Sequence, residues 1–479
     1  MEKKSENMIP AKVAFIPFAV LLLMLVFVIR YFGDTALEGA SQVSLLVASA
    51  VCVAIAMIAY KVQWHVLETS LVDGVRNVSS AIVMLLLIGG ISGTWMLSGV
   101  VPSLIYYGLQ IINPKVFLLT CCVISALVSL LVGSSWTTIA TIGIALVGIG
   151  QSQGFEPHWI AGAVISGAYF GDKISPLSDT TILASSSAGA ELFPHIRYML
   201  ITTVPAFVVS LLIFLVVGFR TTAADDSMIA DFLQALQGSF NISPWLLIVP
   251  LLTGLLIAFR LPALITLFFS MMFAVVAMLL TQPQIIQIIT YSNGLSFADG
   301  FVASFKAIYG HVAIDTGNDM LNTLVTTRGM TGMLNTIWLV ISAVCFGGVM
   351  LGSGMIHSIT QMIIRHIRRR AAVVSSTVFT GVFCNICLAD QYLSIILTNS
   401  LFKDFYEKKG YEARLLSRST EDSATVTGVL IPWNSCGMTQ ATILNVATLS
   451  YLPYCFFNIL SPIMSIVVAV VGYKIRVRN

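Results

Sequence analysis

The chain has 479 residues, of which 57% are hydrophobic and only 10% charged, with 25 Lys and Arg against 22 Asp and Glu. Soluble domains carry about 25% charged residues, so a soluble enzyme is disfavoured, and intrinsic disorder is excluded because it needs low hydrophobicity and high charge. A net charge of +3 leaves no basic footprint for nucleic acid.

Mean hydropathy is +0.91, and the charge is unevenly spread. The first apolar run, Val13 to Val28, lacks a small-residue cleavage site and is followed by Arg30 and Tyr31, so it reads as a spanning helix and not as a cleavable signal. No Asp, Glu, Lys or Arg occurs in 77–114, 116–155, 198–219, 261–298, 329–364 or 423–473. Each stretch is long enough to cross a bilayer, which takes roughly 20 residues, and the longer ones fit two passes. Runs such as Phe18 to Val28 do not alternate as the strands of a membrane barrel do. The expected class is an all-α polytopic membrane protein.

Lys and Arg bias predicts orientation. Lys3, Lys4 and Lys12, then Arg365, Arg368, Arg369 and Arg370, then Lys474, Arg476 and Arg478 are expected on the cytoplasmic side. Segment 221–243 carries Asp225, Asp226 and Asp231 with no Lys or Arg and is expected outside. Both termini inside requires an even number of crossings. The eight cysteines lie in apolar sequence and read as small buried hydrophobes. Cys384 and Cys387 form a C-x-x-C, with no second pair or nearby His to make a metal site.

Two halves resemble each other. Residues 98–102 match 347–351 in character, an offset of 249, and Ser134 precedes Asp172 by the same 38 residues that separate Cys384 from Asp422. The acidic segment 221–243 then reads as the linker between the halves of an internal repeat.

Four polar clusters interrupt the apolar sequence: 133–138, 171–181, 384–391 and 421–437. Polar groups inside a membrane are costly and mark transport paths. Pro176 and Pro432 each remove a backbone donor, and Gly133 and Gly437 permit non-helical turns, so the clusters read as broken helices. Freed carbonyls together with Ser, Thr and Asn oxygens suit a small hard cation, whereas a half-helix N-terminus suits an anion. Plainer readings stand beside these: 133–138 as a small-residue packing face, 172–179 as a solvated loop, Asp390 at a helix end, and Glu421-Asp422 as part of the charged loop 403–418 just before them. The six histidines are scattered and receive no role, and Asp315 to Asp319 could be loop or site.

The string Gly167 to Thr181 (GAYFGDKISPLSDTT), with Asp390-Gln391-Tyr392, Glu421-Asp422-Ser423 and Ile431-Pro432-Trp433-Asn434, resembles the NhaC-type sodium/proton antiporter family. The resemblance runs from about Ser70 to the C-terminus. It implies a secondary active transporter with two inverted-topology repeats, each with a re-entrant hairpin and a broken helix, and a homodimer with scaffold and transport domains. The expected division is N-terminal spanning helices over 1–69, a first repeat over 70–220, the linker 221–243, connecting helices over 244–330 and a second repeat over 331–479.

The candidate ion- or substrate-binding residues are Ser134, Ser135, Thr137, Thr138, Asp172, Ser175, Asp179, Thr180, Asn385, Asp390, Asp422, Ser423, Thr425 and Asn434. Individual sodium ligands are not assigned among them, and no cofactor is expected beyond the transported Na+ and H+. Antiport needs a site that holds either ion, and a carboxylate serves where its protonation responds to the working pH. Asp179 and Asp422 lead, with Asp172 and Asp390 next; Lys173 could pair with Asp172 and make that acid structural. The alternative is coupled exchange of an organic solute, a carboxylate such as malate or lactate or an amino acid, with Lys173 and Arg418 able to hold a carboxylate. A membrane-embedded enzyme is a third class, but no H-E-x-x-H occurs.

Overall fold

The computed structural model describes residues 9–32, 38–221, 226–259, 261–292, 295–364 and 369–475. Lys3, Lys4, Asp225, Arg365, Arg368, Arg476 and Arg478, used above for orientation, lie outside the described residues. Among the described residues the chain is helical throughout, save for an isolated antiparallel bridge between Val312 and Thr327. Eight of these helices are long and apolar enough to cross a membrane, or up to ten if each of two bent pairs counts as one crossing.

In chain order, α1 (Ala11–Phe32) covers the predicted first span, α2 (Ala40–Ala54) ends in a π turn, and α3 (Trp64–Leu97) runs 34 residues. The charge-free stretches then break where left-handed residues allow it. Gly99, at φ 80°, separates α3 from α4 (Val100–Ile111), and Gly133, at φ 70°, separates α5 (Phe117–Val132) from helix α6 over 135–152. Pro157 opens α7 (Pro157–Ile174), where a missing N–H costs nothing. A break over 175–178 leads to α8 (Asp179–Ala188), followed by α9 (Leu192–Arg220).

The predicted linker 221–243 contains a helix, α10 (Asp226–Ser239). Beyond it come α11 (Ile248–Ala258), α12 (Ala263–Thr281), α13 (Pro283–Thr290), α14 (Phe297–Tyr309) and α15 (Asp319–Val325). The undecided residues 315–319 form a surface turn. Asp315 accepts from the Gly317 N–H, and Asn318 caps α15.

The second half holds α16 (Leu334–Gly352), α17 (Met355–Ile364), α18 (Arg370–Leu388) and α19 (Gln391–Lys408). Helix α20 starts at Ala413 and passes through a π turn, Glu421–Thr425, to a 3-10 turn, Gly428–Leu430. After α21 (Ser435–Leu444), α22 (Phe456–Val471) closes the chain. The reading of 403–418 as a charged loop is corrected: its ends lie on α19 and α20. Glu421 is fully buried inside α20 because apolar and polar neighbours from α18, α19 and α22 enclose that turn.

Local structure recurs between the halves at a spacing of 256 residues. The left-handed residues Gly133 and Ala389, the N-caps Ser134 and Asp390, the helix starts Pro157 and Ala413, Pro176 and Pro432, the N-caps Ser178 and Asn434, and the left-handed C-caps Gly189 and Asn445 are each that far apart. The sequence offset of 249–250 is therefore corrected. It aligned Ser134, a cap, with Cys384, which lies inside α18, because residue polarity was matched without knowledge of where the helices stop. Gly437 also differs from expectation. It is helical, and it is needed for close approach: a Cβ there would lie 2.2 Å from the Ile431 carbonyl oxygen.

Two groups of helices result. In one, α3 packs on α12, α14 and α16, and α16 on α2. In the other, α5 packs on α7, α9 on α22, α18 on α19 and α22, and α19 on α8. Without a hydrophobic drive between helices in lipid, small residues that let backbones approach supply the packing. At Gly167 an added Cβ would sit 2.0 Å from the Cys122 carbonyl oxygen on α5. Gly167→Ala is expected to cost about 1–3 kcal/mol through overpacking, read as a lower thermal midpoint in detergent. Gly238→Ala, with nothing within 4 Å of the new Cβ, is the control and should not fall. All eight cysteines are free thiols, seven of them buried.

Candidate functional site

The two breaks of the first half meet. Gly133 lies against the Leu177 backbone, with the site of a Cβ 2.7 Å from the Leu177 carbonyl carbon, and the Ser175 hydroxyl donates to the Leu130 carbonyl, 2.8 Å. Ser134 caps α6 by accepting from the Thr137 N–H, 3.2 Å. Asp172, at the end of α7, faces that same helix start. Its Oδ2 accepts from the Ser135 N–H at 3.1 Å and the Ser135 hydroxyl at 2.8 Å. Ser178 caps α8, which places Asp179 in its first turn.

The second half repeats this crossing with the residue types exchanged. Asp390 is the cap of α19: Oδ1 accepts from the Leu393 N–H at 3.0 Å, and Oδ2 from the Ser435 hydroxyl at 3.3 Å. The Ser435 N–H donates to the Ala389 carbonyl, 2.8 Å. At the 256-residue spacing, Ser134 corresponds to Asp390 and Asp179 to Ser435, so at these two positions carboxylate and hydroxyl change places between the halves.

A cavity of about 320 Å³ opens at the first break. Ser134, Thr137, Asp172, Asp179 and Thr180 line it, joined by Trp136, Ser178 and, from the second half, Gln391 and Tyr392. Ile257, Leu261 and Thr266 form its far wall, from α11, α12 and the turn between them. Asp179 is exposed there, whereas Asp172 is 5% exposed. No Lys or Arg among the described residues lines the cavity. Among the described residues no three His, Cys, Asp or Glu side chains cluster closely enough to hold a metal ion, so oxygens of hydroxyls and backbone would have to complete the shell of a transported cation.

The remaining candidates lie elsewhere. Thr138 donates back to the Ser134 carbonyl, and Ser423 to Ser419 and Thr420 carbonyls, as helical hydroxyls do. Asn385 and Asn434 hold the second break together: Asn385 donates to the Ala424 carbonyl, and Asn434 to the Asn385 carbonyl at 3.0 Å. Thr425 is buried on the π turn beside Glu421, whose two carboxylate oxygens find no hydrogen-bond partner among the described residues.

Asp422 is not in the cavity. It forms a fully buried ion pair with Lys173, and the same oxygen accepts from Thr202 at 3.0 Å and Ser461 at 3.2 Å. Lys173 also donates to Ser461, 2.9 Å. The Arg418 Nε stands 3.9 Å from the other Asp422 oxygen, and its guanidinium lies 4.6 Å from the Tyr198 ring centre. The suggested pairing of Lys173 with Asp172 is therefore corrected. Residue 172 points its carboxylate to the start of α6, while the Lys173 side chain leaves α7 toward α20 and α22. Thr202, Ser461, Gln391 and Tyr392 are not among the sequence candidates for the site. Only Gln391 and Tyr392 had a signal there, their place directly after the Asp390 cap.

Paired helix breaks that present carboxylates and hydroxyls within an all-helical bundle define a membrane transport protein. The sequence profile of the Na+/H+ antiporter family matches residues 1–201 and 167–473. The chain is 36% identical over 412 residues to the Na+/H+ antiporter NhaC of Alkalihalophilus pseudofirmus, covering 86% of each chain. It is 33% identical to the malate-2H+/Na+-lactate antiporter of Bacillus subtilis, covering 85% of this chain and 84% of that one. It is 32% identical to the arginine/ornithine antiporter ArcD of Halobacterium salinarum, covering 87% and 84%. The chain belongs to the NhaC-type Na+/H+ antiporter family and is a transporter, not an enzyme.

Proposed function

We propose that the protein exchanges Na+ for H+ across the cell membrane by alternating access, with Asp179 and Asp172 as the carboxylates that take either ion. One observation carries this reading: both acids line one cavity beside the hydroxyls of Ser134, Thr137 and Thr180, and among the described residues no Lys or Arg competes there. A sodium ion bound to the carboxylate form displaces protons, and by linkage protons weaken sodium binding equally. Asp422 holds a fixed counter-cation and is given a structural part. The recurrence at 256 residues supports two repeats, each made of a hairpin and a broken helix, and the two helix groups support a scaffold and a transport part; the inverted topology of the repeats and a homodimer are what the family resemblance implies. Lys12 and Lys474 fit both termini on the cytoplasmic side.

A second reading has an observation of its own. A cavity of about 320 Å³ is of the size that admits small organic ligands. Lys173 and Arg418, the residues suggested for a carboxylate, are fully buried outside it. An organic solute entering here would be matched by its ammonium or guanidinium group, which favours a cationic amino acid over a dicarboxylate.

Purified protein in liposomes with an internal pH dye separates these. A sodium gradient with no other solute is expected to move protons. No response from folded protein, with arginine or ornithine driving flux instead, would replace ion exchange by the second reading; malate- or lactate-driven flux would overturn the charge argument.

A further inference from the structure

Away from the cavity, a lateral groove of about 580 Å³ runs between α9 and α22. Its walls are apolar: Leu200, Val204 and Pro205 on α9, and Met464, Val467 and Val471 on α22. One end is basic, formed by Arg197 and Lys474 next to Tyr473. Both cations are exposed, and neither forms a salt bridge among the described residues. The Arg370 guanidinium packs against Gly472 at the same end and adds to the positive field. The acids near this end in sequence are Glu191, six residues before Arg197 and exposed, and Glu412, already paired with Arg414.

From Arg197 to Pro205 the groove follows α9 for eight residues, about 12 Å at 1.5 Å per residue. One leaflet of hydrocarbon is about 15 Å deep. The groove therefore has the length of a single leaflet, a positive end where headgroups lie, and an apolar remainder where acyl chains lie. A zwitterionic lipid brings its own ammonium beside the phosphate and so leaves a net positive charge at this end, and basic pockets between membrane helices suit anionic headgroups.

We propose that this groove is a binding site for one anionic phospholipid, its phosphate between Arg197 and Lys474 and an acyl chain between α9 and α22. The same two helices supply the hydroxyls that hold the buried ion pair, Thr202 from α9 and Ser461 from α22. Thr202 adjoins Ile201, which also lines the groove. A lipid wedged there sets the spacing of α9 and α22 and so supports the Lys173–Asp422 contact.

The test is a thermal melt of the full chain in detergent with added dioleoyl phosphatidylglycerol or dioleoyl phosphatidylcholine. The anionic lipid is expected to raise the midpoint by a few degrees more than the zwitterionic one. Arg197→Gln with Lys474→Gln should abolish that difference while leaving the lipid-free midpoint unchanged, because both side chains are exposed. Val204→Trp, which fills the apolar wall, should abolish it independently. Equal shifts from the two lipids, or a difference that survives the double variant, would overturn the proposal. So would an equal shift from glycerol phosphate alone, or conversion of Val204→Trp to a smaller oligomer with no lipid preference to lose, which would make the groove a contact between copies of the chain.

Discussion

Lys173→Met is expected to destabilise the protein by about 3–5 kcal/mol, the usual cost of removing one partner from a buried ion pair. Both side chains have no solvent exposure. After the change, Asp422 keeps only the hydroxyls of Thr202 and Ser461 and the more distant Arg418. Asp422→Leu should cost at least as much, since Lys173 is then left with the Ser461 hydroxyl and the Phe457 ring, and buried Arg418 loses the nearby carboxylate. The double variant Lys173→Met with Asp422→Leu removes both charges of the pair and should recover part of the loss, the remainder being the buried Arg418 left without its acid, so the two costs will not add. Melting curves of the four proteins in one detergent measure this cycle. Additive losses would show that the two residues do not act as a pair. The double variant, where it folds, should still move protons in response to sodium. Complete loss of exchange in a stable double variant would return Asp422 to the transport path.

Asp179→Asn should have the opposite profile: a normal fold and little transport. Its carboxylate is exposed to the cavity and contributes only as an acid in the first turn of α8, worth about 0.3–1 kcal/mol. An amide neither carries the exchanged proton nor attracts sodium as a carboxylate does. Sodium-driven proton movement in liposomes should fall at least about 10- to 100-fold, the scale on which groups supporting an ion site act. Asp172→Asn should also lose exchange, with a larger stability cost, because the Ser135 amide and hydroxyl are aimed at that oxygen. Full exchange by Asp179→Asn would remove it from the site and leave Asp172 with the neighbouring hydroxyls.

The class of protein was legible because a bilayer imposes its thickness on sequence. Charge-free stretches of spanning length can only be helices in lipid, and α9 and α12 stand where two of those stretches lie. The helix breaks were legible too. Proline and glycine act on their own backbone, so Gly133 and Pro176 mark the first break whatever surrounds them. Ala389 gave no such sign: its left-handed conformation, at φ 54°, answers to the contacts around the second break and not to its own side chain.

Which acids meet was not legible. Asp172 and Lys173 are adjacent in sequence, yet successive helical residues point about 100° apart, so one reaches the start of α6 and the other reaches Asp422 from the second half. The far wall of the cavity comes from α11 and α12, whose sequence is merely apolar. Local propensity and the cost of charge in lipid act residue by residue and can be read along a chain. Ion pairing, cavity lining and the groove between α9 and α22 depend on which helix faces which, and packing alone decides that.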